Sequence, residues 1–161
     1  MKTKTKIWLG VIGIGIVLGV YFLIAQAAKG EAACMTKPAN ELFYSGEQNW
    51  VFHIHPTLTI TINGEAYNIP QGIGHGGGLM QPLHTHDATG KVHVESLCYR
   101  DYTLGDFFDV WGQTFTSTCI FSSCVDETHT LKLVVNGVES TAFRDLVLND
   151  GDAIEIVYEE V

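Results

Sequence analysis

The chain has 161 residues, with 9 Lys+Arg against 18 Asp+Glu and a formal net charge of −9. That length suits one domain, or two small ones, and excludes a large multidomain enzyme. At 46% hydrophobic and 17% charged residues the chain is not compositionally disordered, and its acidic balance argues against a nucleic-acid partner, which needs clustered Lys and Arg.

Lys2, Lys4 and Lys6 precede an uncharged run over residues 7–28. At about 1.5 Å per residue a helix over this run reaches about 33 Å, enough to cross a hydrocarbon core of roughly 30 Å. Residues 1–29 are therefore expected to be an N-terminal transmembrane anchor, with the lysines holding the N-terminus inside. Ala25-Gln26-Ala27 also fits a signal-peptide site, and cleavage after Ala27 would release the remainder as a secreted domain. Both routes deliver the rest to the extracytoplasmic side. Without the three lysines, 6 basic residues face 18 acidic ones, a net of −12 that favours attraction of cations.

Residues 30–49 read as a stalk and residues 50–161 as a strand-rich domain. VFHIH (51–55) alternates, and TLTITIN (57–63) places Leu58, Ile60 and Ile62 on one face. Asn63-Gly64 predicts a type I′ hairpin returning into 65–69. A glycine-rich loop (70–82) follows, then an alternating strand over 91–97. Thr103 is a suitable N-cap for a helix over 104–111, with Gly112 as its left-handed terminator. Residues 114–121 read as strand. Residues 131–136 enter a second Asn-Gly turn, 138–143 return, and 153–159 form a last strand. The expected fold is mainly β, a compact antiparallel domain with one short helix. In that helix Phe107, Phe108 and Trp111 are spaced for a core face.

Six of the seven histidines lie between residues 53 and 93. His53 and His55, His84 and His86, and His93 with Glu95 are all two apart, so on strands each pair faces one side. Val92 and Val94 would point into the core. Imidazole is the commonest metal ligand, and a carboxylate can complete or orient the shell. His53, His55, His84, His86, His93 and Glu95 are the candidate ligands, for a copper or zinc ion. His75 and Met80 in the glycine-rich loop add further donors nearby, although His75, between glycines, is expected to be solvated. Asp87 is placed to hold an imidazole tautomer, while His129 stands apart. The four cysteines lie outside the membrane, where disulfides persist. Proximity favours Cys119–Cys124, and elimination then leaves Cys34–Cys98.

The elements VFHIHP, PLHTHD, HVES and TLGDFFDVWG, covering residues 50–112, resemble an uncharacterised group of exported or membrane-anchored microbial His-rich proteins. The resemblance implies one module containing both the His pairs and the helix. Residues 130–159 are similar to the end of β-grasp domains, but no Gly-Gly tail follows, so carrier chemistry is not implied. His84, His86, His93 and Glu95 look similar in type to the zinc ligands of alpha carbonic anhydrases, an analogy of chemistry alone. Cupins also carry His-x-His on a strand, but their following glutamate is missing here. The functional expectation is a membrane-anchored metal-binding domain in metal handling, or an accessory to a membrane metalloenzyme partner. A small zinc hydrolase or hydratase and an interaction module with incidental histidines are the alternatives.

Overall fold

The computed structural model describes the backbone of residues 2–46 and 48–161, and side chains from residue 16 onward except 30 and 47. The chain divides into two units, the second being Cys34–Val161. The first unit is helical. Helix α1 (Lys2–Thr36) contains, over Ile16–Thr36, a stretch long and apolar enough to span a membrane or to serve as a signal. The side chains of Lys2, Lys4 and Lys6, on which the expected orientation rests, lie outside the described residues.

The second unit is mainly β and begins at Cys34, not at Trp50. The segment expected as a stalk contributes to it because Cys34 is tied to Cys98 and because Ala39, Leu42 and Tyr44 are buried. Besides a small sheet of Tyr44–Ser45, Leu79–Met80 and His75–Gly76, the last two within the expected glycine-rich loop, the unit has strands β1 (Phe52–Ile54), β2 (Thr57–Ile62) and β3 (Glu65–Ala66), followed by β4 (Leu83–His84) and β5 (His93–Ser96). After helix α2 (Leu104–Trp111) come β6 (His129–Val135), β7 (Val138–Ser140) and β8 (Ala153–Glu160).

These strands form two principal sheets. The larger has the order β7-β6-β8-β2-β3. Its hairpins turn at Asn63-Gly64 and Asn136-Gly137, all four residues having positive φ, as a type I′ turn requires. The central pairing is parallel: β8 lies beside β2, with Ile156 opposite Ile60, and antiparallel to β6, with Leu133 opposite Ile156. Those three side chains make one buried row across the sheet. The residues alternating with them, such as Thr59 and Glu155, face solvent.

Helix α2 occupies the span its sequence predicts. Thr103 Oγ1 accepts from the Asp106 amide, Asp106 accepts from the Thr103 amide, and Gly112 closes the helix at φ 70°. Phe107 and Phe108 are fully buried, and Phe108 stacks on Phe115 at 4.4 Å. The aromatic face of this helix is core.

Residues 114–121 depart from the expected strand. Cys119–Ile120 pairs with Ser123–Cys124 in a tight turn closed by the Cys119–Cys124 disulfide, and Phe115 makes a single antiparallel bridge back to Ile120. Thr116 Oγ1 accepts from the amides of Thr118 and Cys119, so a side chain takes donors that a ladder would have used. The return strand after the second Asn-Gly turn also stops early, at Ser140, where the chain enters a short 3-10 turn at Phe143–Asp145.

Candidate metal centre

The smaller sheet, β1-β5-β4, builds the site by strand alternation. In the middle strand, β5, Val94 pairs with Ile54 of β1 and Leu83 of β4, and all three are buried. One residue further along, the other face is polar: His53 lies opposite Glu95, and His84 opposite His93. Register alone brings three imidazoles and a carboxylate onto one surface. His55 and His86 follow their strands and extend the same cluster.

Ser96, inward with Val94, secures the middle strand. Tyr102 donates to Ser96 Oγ at 2.7 Å, and Ser96 in turn lies 2.9 Å from Cys34 Sγ, which as a disulfide sulfur can only accept. The Cys34–Cys98 bond therefore anchors the far end of the strand that carries His93 and Glu95.

His84 is fully buried. The glycine-rich segment covers it, held by the Ile73 amide donating to Thr85 Oγ1 and the Thr85 amide donating to the Ile73 carbonyl. Gly74, at φ 74°, packs so closely on Leu83 and His84 that a Cβ there would collide with the Leu83 carbonyl. This loop is a lid over one imidazole, which is why a run without hydrophobic periodicity is nevertheless ordered.

The electrostatics keep His84 and His93 neutral. Burial pushes His84 down to about 3, against the opposing effect of its hydrogen bond to the Gln81 carbonyl. Burial, followed by the neighbouring His86, pushes His93 down to about 4. Neutral imidazole is the form that ligates. His84 Nδ1 lies 3.0 Å from the Gln81 carbonyl, which assigns the proton to Nδ1 and leaves a lone pair on Nε2.

That Nε2 is an acceptor at hydrogen-bond distance, 3.2 Å, from Nε2 of the exposed His86. Two nitrogens bound at 2.0–2.1 Å to one tetrahedral ion sit about 3.3 Å apart. Glu95 Oε2 is 3.9 Å from His84 Nε2, and Glu95 Oε1 is 3.8 Å from His93 Nδ1. His93 Nδ1 is itself buried without a hydrogen-bond partner. The donor atoms of His84, His86, His93 and Glu95 all lie within 4.8 Å of one another, so these residues can hold a metal ion. His53, His55 and His93 make a second such group.

No known protein family, curated protein or solved structure matches this chain. The site is read from its own chemistry.

All six sequence-derived candidates fall in these two groups. Asp87 does not orient an imidazole: it accepts from the Thr89 amide and hydroxyl, and those bonds hold its carboxyl below the usual range. The Gln81 carbonyl has the tautomer-setting role instead. His75 is exposed, yet its ring lies 4.9 Å from His84 and 5.2 Å from His86. Asp150 is an addition that the sequence did not signal; its Oδ1 accepts the His55 amide at 2.8 Å and lies 3.9 Å from His55 Nδ1. A cavity of about 310 Å³ opens beside the cluster, lined by Gln48, Trp50, His53, Met80, His86 and Glu95. Away from the site, His129 stacks on Tyr158 and bonds to Asp126.

Proposed function

We propose that the compact unit is an extracytoplasmic metal-binding domain, tethered to the membrane through residues 7–28, that holds copper or zinc on His84, His86, His93 and Glu95. The observation that carries it is the convergence of His84 Nε2 and His86 Nε2 at 3.2 Å, beside a buried His93 Nδ1 that has no other partner. Without an ion, an orphaned buried polar atom costs roughly 1–3 kcal/mol. Three imidazoles with one carboxylate suit zinc and copper better than hard cations, which prefer all-oxygen shells. Met80, bordering the same cavity, supplies a thioether suited to copper.

The disulfides support an oxidising compartment, and the long apolar helix supports attachment to a membrane. The anchor keeps the N-terminus inside. In this setting the domain serves metal handling or supplies an ion to a membrane metalloenzyme. The order of the larger sheet, with its parallel central pair, also supports reading it as a β-grasp scaffold onto which the histidine sheet is built.

A second function draws on the cavity. An ion with an open position toward it would carry a water whose pKa falls toward 7, the chemistry of a small zinc hydrolase or hydratase. Metal analysis of the untagged full chain in detergent tests the binding. A stoichiometric ion is expected in the parent and none in the His84→Ala/His86→Ala variant; no ion in the parent after exposure to copper and zinc refutes it. Hydration of carbon dioxide or ester hydrolysis by the zinc form, absent from the metal-free form, would favour the enzyme over the carrier.

A further inference from the structure

The cluster offers more donors than one ion can use. Five imidazoles and a carboxylate fall into two groups that each converge within 4.8 Å and share His93. The two oxygens of Glu95 look in different directions. Oε2 faces His84 at 3.9 Å, while Oε1 lies 3.1 Å from His53 Nε2. His93 stands between the groups, its ring centre 4.5 Å from that of His86 and 4.6 Å from that of His55.

We infer that the site is dinuclear, with Glu95 bridging one ion on His84 and His86 and a second on His53 and His55. The inference rests on the metal-binding function proposed above and extends it to a second ion. A carboxylate with one oxygen toward each ligand set is the usual bridge of two-metal centres, whose ions lie about 3.5–4 Å apart. His93, with a single lone pair on Nδ1, completes the shell of either ion. The Glu95 charge offsets part of the repulsion between the cations, and Asp150, beside His55, adds a second negative charge on the outer side. His84 is sealed beneath the glycine-rich loop, but His86 and His53 are both exposed and both border the cavity, so each ion has one ligand open to it.

The test uses the untagged full chain in detergent, stripped with a chelator and reloaded with zinc or copper(II) alone. Zinc is counted per chain by elemental analysis. Copper(II) is counted in the same way, and its unpaired spins are integrated by electron paramagnetic resonance. Two ions per parent chain are expected, with a spin count well below the copper content because a bridged pair couples. His53→Ala/His55→Ala should retain one ion and recover full spin, and the milder His53→Gln/His55→Gln guards against a folding defect. Glu95→Gln should lose the coupling. One ion in the parent overturns the dinuclear centre and leaves the single-ion function standing, while none overturns both. Two ions with full spin, or two retained without His53 and His55, overturn the bridge.

Discussion

The two principal sheets of the compact unit are built by the same alternation and put it to different use. In the larger sheet the inward row is Leu133, Ile156 and Ile60, and the outward residues are ordinary solvated threonines and glutamates. In the smaller sheet the inward row is Ile54, Val94 and Leu83, and the outward face is imidazole and carboxylate. Part of that outward face is buried again under a glycine-rich lid. One sheet holds the fold, and the other spends its second face on a site. Burying His93 Nδ1 without a partner opposes stability unless something binds it.

If this division holds, damage to the two sheets should have separable consequences. The largest effect belongs to the first: Ile156→Ala removes a fully buried side chain and should cost about 2–5 kcal/mol in a denaturant titration, with the metal content of the folded fraction unchanged. A cost below 1 kcal/mol would show that the larger sheet is not the keystone.

The Cys34–Cys98 bond joins residues 64 apart and should stabilise by about 4 kcal/mol, against about 2 kcal/mol for the short Cys119–Cys124 loop. Removing Cys34 and Cys98 together should lower the denaturation midpoint more than removing the other pair. Because the first bond anchors the strand of His93 and Glu95, its loss should also weaken metal binding; loss of the second should not.

Acid sharpens the contrast through the site sheet. In the metal-free chain His84 and His93 stay neutral when folded, down to about 3 and about 4, while the unfolded chain takes up protons near 6.5. The unfolded state then binds more protons below about 6.5, so stability falls as the pH drops from there toward 3–4. The slope from the pair should approach about 2–3 kcal/mol per pH unit between pH 6 and 4. Denaturation midpoints that match at pH 7 and pH 5 would contradict the burial of these imidazoles.

Two smaller effects complete the series. Thr103→Ala breaks the capping box of α2 and should cost about 1 kcal/mol with no change in metal content. His86→Ala removes the hydrogen-bond partner of the buried His84 Nε2 and should cost the metal-free chain about 1 kcal/mol. The same variant should lose metal affinity by at least the 10–100-fold that loss of a supporting partner costs. Unchanged affinity would remove His86 from the ligand set.

Much of the scaffold was legible because its signals are local. A cap at Thr103 and a glycine at 112 bound the helix, and two Asn-Gly pairs set hairpin turns whose positive φ few other residues tolerate. The spacing of His93 and Glu95 put both on one face, and the valines beside them on the other. The strand expected over 114–121 was lost to Thr116, whose hydroxyl competes for the same amides. Strand propensity cannot register that competition.

By itself, then, the sequence determined the helix α2, the Asn-Gly hairpins and the long strands, the apolar N-terminal helix, the cysteine pairing favoured by proximity, and which residue types could ligate. Only the tertiary structure decided that β1 lies against β5, so that His53 meets Glu95. It also decided that β8 runs parallel to β2 and that the Gly74 loop seals His84. The reason lies in range. Alternation and capping act over a few residues, whereas strand pairing and burial depend on which distant segments share one core. Asp150 reaches His55 across 95 positions of chain, a contact no local pattern encodes.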